Sequence, residues 1–282
     1  MHVQINPILK WVGGKRSLLD VITENLPNKW NNYHEPFFGG GALYCHLFNL
    51  GLLDKKEVYL SDANKELMET YFFIKGMQSL IPELLAKLDN LAQNHNKENY
   101  YKIRDLDKSK SYKKLPRIDK VARFIYLNKT CFNGLCRYNS KGEFNAPIGD
   151  KVNPVLYAGD DILNLSKALW KTFLFQSDFE LVLKNAKKKD FVYFDPPYYP
   201  ISKTSNFTGY ISNFQKDEQT RLFKVYKELS DRGVYVMESN SNSDFIKELY
   251  KGFNIKIIHG KRSISANSNS RGVIKELLIT NY

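Results

Sequence analysis

The chain of 282 residues is 43% hydrophobic and 26% charged, a balance that excludes a disordered tract and allows one large domain or two moderate ones. Its net charge of +12 and pI near 9.3 point to a polyanion, either nucleic acid or an anionic membrane surface. No apolar run approaches the roughly 20 residues that span a bilayer, and the opening MHVQINPILKW lacks a signal-peptide core. Cys45, Cys131 and Cys136 cannot complete a disulfide set and suit a reducing cytoplasm; without a second ligand pair they make no zinc site, and no metal is expected.

The first motif along the chain is the loop LKWVGGK at 9–15, which opens a helix over 17–26. The phosphate loop G-x-x-x-x-G-K-[ST] fails here twice, because Leu9 stands at its first glycine and Arg16 follows the lysine. Lys15 is left to pair a carboxylate at a helix start, and Trp11 either covers a ligand or joins the core. A short strand, YHEPF, runs into the glycine turn PFFGGGAL at 36–43. The fingerprint G-x-G-x-x-G fits Gly39 and Gly41 but fails at Tyr44, which disfavours nicotinamide and flavin cofactors. Strand EVYLSD (57–62) ends on Asp62, the position of a ribose-binding acid, and Asn64 opens a helix over 64–76.

Residues 79–132 read as helices without intervening strands, and 133–151 as a turn-rich, short-stranded hairpin. Segment 97–151 holds fourteen Lys and Arg against six Asp and Glu, so the positive charge is concentrated there. Aromatics and amides are interleaved with it, which favours nucleic-acid contact over a merely solvated face. A membrane-surface protein would need a basic amphipathic segment instead.

After residue 172 strands and helices alternate again. FLFQSD, DFVYFD, VYVMESN, NIKIIHG and VIKELLITN read as strands, with helices over FELVLKNA, 217–231 and SDFIKELYKG. This rhythm predicts an α/β fold with a mostly parallel, doubly wound sheet, its last two strands antiparallel at an edge. Strand DFVYFD delivers DPPY at 195–198. Asp195 then stands at the carboxyl end of a buried strand, where such folds place ligands. Pro196 and Pro197 donate no backbone hydrogen bonds, so the Pro196 carbonyl is left to accept from outside. A carboxylate beside a carbonyl suits the two hydrogens of a planar amino group, and Tyr198 offers a face for a flat ring. The polar loop 200–213 that follows either orders over a target or remains an ordinary surface loop.

In combination these motifs resemble the DNA adenine-N6 methyltransferases of the Dam type. LKWVGGK, EPFFGGGAL, SDAN, CFNGLCRYNSKGEFNAPIG (131–149) and YFDPPY (193–198) stand in that family's order, and RSISANSNSRGVIKELL (262–278) is similar to its closing segment. The resemblance implies a Rossmann-like methyltransferase sheet from 1–75 and 155–282 and a target-recognition insert from 76–154. It implies S-adenosylmethionine as cofactor and double-stranded DNA as partner. Trp11 and Lys15 match its cofactor loop, Phe37, Gly39 and Gly41 its glycine turn, and Asp62 its ribose acid. Asp178 and Phe179 match the pair beside the cofactor's adenine, and Asp195 is shared between the two pockets. The hairpin is similar to that of members methylating adenine in GATC. On that analogy Lys10 and Arg137 meet guanines, Leu135 and Pro147 thymine methyls, and Phe132 with Asn133 the space near an extruded base. Asn139 belongs to the same set. Phe132 stands where some members carry tyrosine, which keeps stacking and loses a hydroxyl. A cognate restriction endonuclease acting separately, or none, is left open. An RNA adenine methyltransferase is disfavoured by the hairpin, and a binding protein on an inactive fold by the intact DPPY.

Overall fold

The computed structural model describes residues 3–11, 13–15, 17–201, 214–261 and 273–282. The polar loop after the DPPY turn and the start of the closing segment fall outside them, at 202–213 and 262–272. Among the described residues seven strands form one sheet: β1 (Tyr33–Glu35), β2 (Val58–Asp62), β3 (Thr172–Gln176), β4 (Phe191–Phe194), β5 (Tyr235–Ser241), β6 (Asn254–Lys261) and β7 (Val273–Thr280). Their order is β3-β2-β1-β4-β5-β7-β6, with β7 antiparallel to both of its neighbours and every other pair parallel. The two last strands do pair antiparallel, yet the final strand is not the edge. β7 carries Leu277, Leu278 and Ile279, all buried, whereas β6 exposes Lys256 and Ile257. A run buried on both faces belongs inside a sheet, so β7 inserts between β5 and β6.

β4 shows why the sheet is covered on both sides. Phe191 and Tyr193 enter one hydrophobic core, Val192 and Phe194 the other, and all four residues are buried. Burying an aromatic side chain of this size contributes roughly 1.5–3 kcal/mol, so both faces need helices over them. The chain order reverses between β1 and β4, which lie side by side. Their carboxyl ends therefore border a cleft at a topological switch point.

The helices are α1 (Leu19–Glu24), α2 (Ala42–Asn49), α3 (Lys65–Gly76), α4 (Ile81–Gln93), α5 (Lys97–Arg104), α6 (Arg117–Thr130), α7 (Asp161–Leu169), α8 (Val182–Asn185), α9 (Lys216–Asp231) and α10 (Asp244–Leu249). Among the described residues no helix is long and apolar enough to cross a membrane. Asn64 caps α3 by accepting from the Leu67 amide at 3.0 Å, as its place in the sequence suggests. The expected helix over FELVLKNA is a 3-10 turn at Phe179–Leu181 followed by the four residues of α8. Asp178 accepts from the Glu180 amide at 3.0 Å and holds that tighter first turn.

Helices α4 to α6 lie between β2 and β3 in the chain. Their buried Leu84, Leu88, Tyr100, Ile125 and Leu127 are continuous with the core beneath the sheet, reached through Leu67, Met68 and Tyr71 of α3. After α6 the expected hairpin has no continuous ladder among the described residues. Two isolated antiparallel bridges, Cys131 to Ile148 and Tyr138 to Phe144, take its place. Phe144 and Ala146 are buried while Pro147 points outward, so period-2 alternation survives without long strands. The Tyr100 hydroxyl anchors this return limb on the Ala146 carbonyl at 3.0 Å.

Candidate active site

The cleft begins at β1 and the glycine turn behind it. Gly39 has φ +49°, and a Cβ there would lie 2.6 Å from Trp11 Cδ1. Only glycine allows the indole so near the turn. Gly41, also left-handed, stands at the start of α2. The buried Asp62 carboxylate closes the same turn, accepting from the Gly39 amide at 3.0 Å and the Asn64 amide at 2.8 Å.

Glu35, at the end of β1, is buried beside these groups and accepts from the Tyr33 hydroxyl at 2.9 Å. Burial pushes its carboxyl up to about 8, the Tyr33 hydrogen bond opposes this, and the charges of Asp195 and Asp62 add to it. The folded protein thus holds a proton that the unfolded chain releases near pH 4.3. The resulting stabilisation is complete below that pH and is lost as pH rises through about 8. Urea midpoints at pH 5, 6.5 and 8 should show Glu35→Gln removing a decline of up to ~1.4 kcal/mol per pH unit. An identical pH dependence in both proteins contradicts a buried protonated Glu35.

β4 carries the opposite wall. Lys15 is 5% exposed, and its Nζ lies 2.7 Å from Asp195 Oδ1, donates to the Gly13 carbonyl at 2.7 Å, and sits 4.5 Å from the centroid of the Tyr198 ring. The contact with Asp195 is an ion pair, and no other described residue is paired with Oδ1. The Asp195 side chain keeps 21% of its surface accessible. Burial raises its pKa, Lys15 draws it back, and Glu276 raises it further. The Tyr198 hydroxyl donates to Glu276 at 2.5 Å. No described residue donates to the Pro196 carbonyl, whereas Pro197 accepts from Gln219 Nε2 at 2.9 Å. Gln219 in turn accepts from Asn240 Nδ2 at 2.9 Å, and Asn240 donates to Glu238 at 2.8 Å. Glu238, pushed up to about 7 by burial, accepts the Tyr250 hydroxyl at 2.5 Å. This buried chain holds the DPPY turn to β5 and α9.

Other sequence candidates lie farther along the same edge. Phe37 stacks on the buried Phe179 at 5.4 Å, and both meet Phe214 edge-on. Arg221 lies 4.2 Å from the Phe179 ring and grips Asp178 at 2.8 and 2.9 Å. Burial works against the Asp178 carboxylate, and the Arg221 guanidinium outweighs it, holding that pKa below the ordinary range.

The segment after α6 approaches the loop 9–15 directly. A Cβ on Gly134 would lie 3.0 Å from Lys10 Cβ. Asn128, buried in α6, accepts from the Lys10 amide at 2.8 Å and donates to its carbonyl at 2.6 Å. Phe132 is 39% exposed, Asn133 is exposed with φ +54°, and Leu135 is half-buried. Arg137 donates through Nε to Asn145 Oδ1 at 2.8 Å and through Nη2 to its carbonyl at 3.1 Å. Two of five guanidinium hydrogens are so used, and three remain for another partner. Asn139 is engaged within the loop, receiving the Lys141 and Glu143 amides at 3.0 Å and donating to Glu143 at 2.7 Å. The Pro147 carbonyl accepts from the Phe132 amide at 2.9 Å.

Sequence reasoning missed Glu35, Asn128, Arg123 and Glu276. Glu35 stood inside a quoted motif, and a buried acid beside a glycine turn was the available signal. Glu276 lies within the quoted closing segment 262–278, Arg123 and Asn128 in no quoted motif, and the partners of all three come from other segments of the chain.

The chain matches the D12 class N6 adenine-specific DNA methyltransferase family over residues 11–264. It is 44% identical to the type II methyltransferase M.MjaIII of Methanocaldococcus jannaschii, covering 99% of this chain and 100% of that protein. Identity to the type II methyltransferase M1.LlaDCHI of Lactococcus lactis subsp. cremoris is 39%, over 99% and 96% of the two chains. Identity to the DNA adenine methylase of Escherichia coli K12 is 32%, over 96% and 93%. A glycine turn and a DPPY turn facing one cleft, with a family match over nearly the whole chain, make this protein a member of the D12 class N6 adenine-specific DNA methyltransferases, an enzyme that methylates adenine N6 in DNA.

Proposed function

We propose that this enzyme transfers a methyl group from S-adenosylmethionine to adenine extruded from double-stranded DNA within GATC. The observation that carries the reading is the end of β4, where the Asp195 carboxylate and the unoccupied Pro196 carbonyl lie beside the Tyr198 ring.

The residues at the glycine turn fit the proposed cofactor. The Asp62 and Asp195 carboxylates lie near the protonated Glu35, and Lys15 pairs with Asp195, a donor set suited to a ligand bearing a sulfonium and an ammonium. The close approach of Trp11 to Gly39 gives that ligand a flat wall. Trp11, Lys15, Phe37, Gly39, Gly41 and Asp62 would hold it, with Asp178 and Phe179 at its far end. When bound, S-adenosylmethionine supplies an electrophilic methyl carbon.

Adenine inside a duplex hides its N6, so the base must leave the stack at a cost of a few kcal/mol. Tyr198 then supports the ring, while Asp195 and the Pro196 carbonyl accept the two N6 hydrogens. Two acceptors favour a tetrahedral nitrogen with a localised lone pair, which is electrostatic placement of the nucleophile. Lys15 competes for the same carboxylate, so it must shift as the base enters.

Residues 76–154 form the proposed recognition unit, set against the catalytic residues 1–75 and 155–282. The Asn145 grip on Arg137 supports its assignment to a guanine edge, since it aims a planar fork before DNA arrives. Lys10 serves the other guanine, Leu135 and Pro147 the thymine methyls, and Phe132 with Asn133 the gap left by the base. Asn139 shapes the tip of the loop. The relatives named DNA adenine methylase support adenine as the target base, and the GATC reading rests on the likeness of the hairpin. The proposed setting is the cytoplasm, with a separately acting restriction endonuclease or with none.

Sequencing the methylated products of a duplex library with four randomised positions tests this reading. GATC alone should be enriched by the wild type. Arg137→Ala should lose roughly 1–3 kcal/mol of discrimination at one guanine and keep the rest. Enrichment of another tetranucleotide, or unchanged discrimination in the variant, contradicts it.

A further inference from the structure

Tyr198 is tied at its far end to a strand that no catalytic motif includes. Its hydroxyl donates to Glu276 Oε2 at 2.5 Å, a short charge-assisted bond. Burial, Asp195 and Glu276 together push the phenol well above its ordinary range, so the bond keeps its proton on the tyrosine. Glu276 lies on β7, paired with Ser241 of β5 on one side and Ile258 of β6 on the other. A carboxylate on a strand bonded along both edges is a fixed point.

The other described contact on this ring is the Lys15 ammonium, 4.5 Å from its centroid. That contact weakens once Lys15 leaves Asp195 to admit a base, and the hydroxyl tether is what then sets the plane of the ring. We propose that Glu276 is a positioning residue for methyl transfer, holding Tyr198 so that an extruded adenine presents N6 to Asp195. The proposal rests on the reading of Tyr198 as the support for the target base.

Its test uses the full-length enzyme and a duplex with 2-aminopurine next to a GATC adenine and, separately, in place of that adenine. Glu276→Ala and Tyr198→Phe should each lower kcat roughly ten- to hundredfold, the scale of a misplaced reacting group. DNA affinity should stay within about threefold, because phosphate contacts dominate it. The fluorescence rise that reports extrusion should persist in both variants. Glu276→Gln keeps an acceptor oxygen and removes the charge felt by Asp195, and it should retain kcat within about threefold. Tyr198→Phe combined with Glu276→Ala should be no slower than the slower single variant, since both remove one bond. Wild-type kcat in Glu276→Ala, or losses that multiply in the double variant, overturns the proposal. So does an equal loss in Glu276→Gln and Glu276→Ala. If Glu276→Ala melts before assay, the contrast between Tyr198→Phe and Glu276→Gln decides in the same way. A wild-type enzyme that methylates with no fluorescence rise overturns the extruded-base reading itself, and this proposal with it.

Discussion

Asp195→Ala should lower the rate of methyl transfer by roughly 10³-fold or more while DNA affinity stays within a few fold. The carboxylate is not part of the fold's hydrophobic support, since 21% of its side chain is accessible and it pairs with Lys15 at 2.7 Å. On the proposed reading, removing it takes away the acceptor that makes N6 a nucleophile and leaves the basic insert intact. Asp195→Asn is the sharper variant. Its amide keeps the shape but directs hydrogens at an amino group that needs acceptors, so it should be nearly as slow. Filter binding and single-turnover methylation at matched ionic strength measure the two quantities separately. Transfer within tenfold of wild type in either variant contradicts the assignment.

The second large effect is on stability. Arg123 is 2% exposed and pairs with Asp107 at 2.7 Å and Glu66 at 3.3 Å. It also donates to the carbonyls of Ile103 at 2.9 Å and Arg104 at 2.6 Å. Asp107 accepts the Phe144 amide at 2.8 Å, and Glu66 accepts the Tyr138 hydroxyl at 2.7 Å, so this one guanidinium ties the loop holding Tyr138 and Phe144 to α3 and α6. Arg123→Met would leave Asp107, whose side chain is 9% accessible, without its cation, and the half-buried Glu66 with one partner fewer. The expected loss is about 3–5 kcal/mol, read from urea midpoints. Adding Asp107→Asn should recover part of it, because the uncompensated charge is then removed. A loss under about 1 kcal/mol in the single variant contradicts a buried, interdependent network.

Much of this site could be read from local sequence. DPPY after four buried residues, glycines between a strand and a helix, and Asn64 before an apolar-periodic run each carry their own geometry. The basic insert was visible as a change in composition. What could not be read depends on chain crossings. Lys15 was seen as a cation seeking a carboxylate, but its pairing with Asp195 needs the whole sheet between them. VIKELLITN reads as a terminal strand, and its place between β5 and β6, which brings Glu276 to Tyr198, follows only from burial on both faces. Arg123 and Asn128 look like ordinary polar residues of an amphipathic helix until their partners from the loops are present.

The central claim is tested most directly by tritiated methyl transfer from S-adenosylmethionine to two duplexes, identical except that one carries GATC and the other GTAC. The account predicts label in the GATC duplex alone, recovered as N6-methyladenine. Tight binding of both duplexes with no label in either would contradict it.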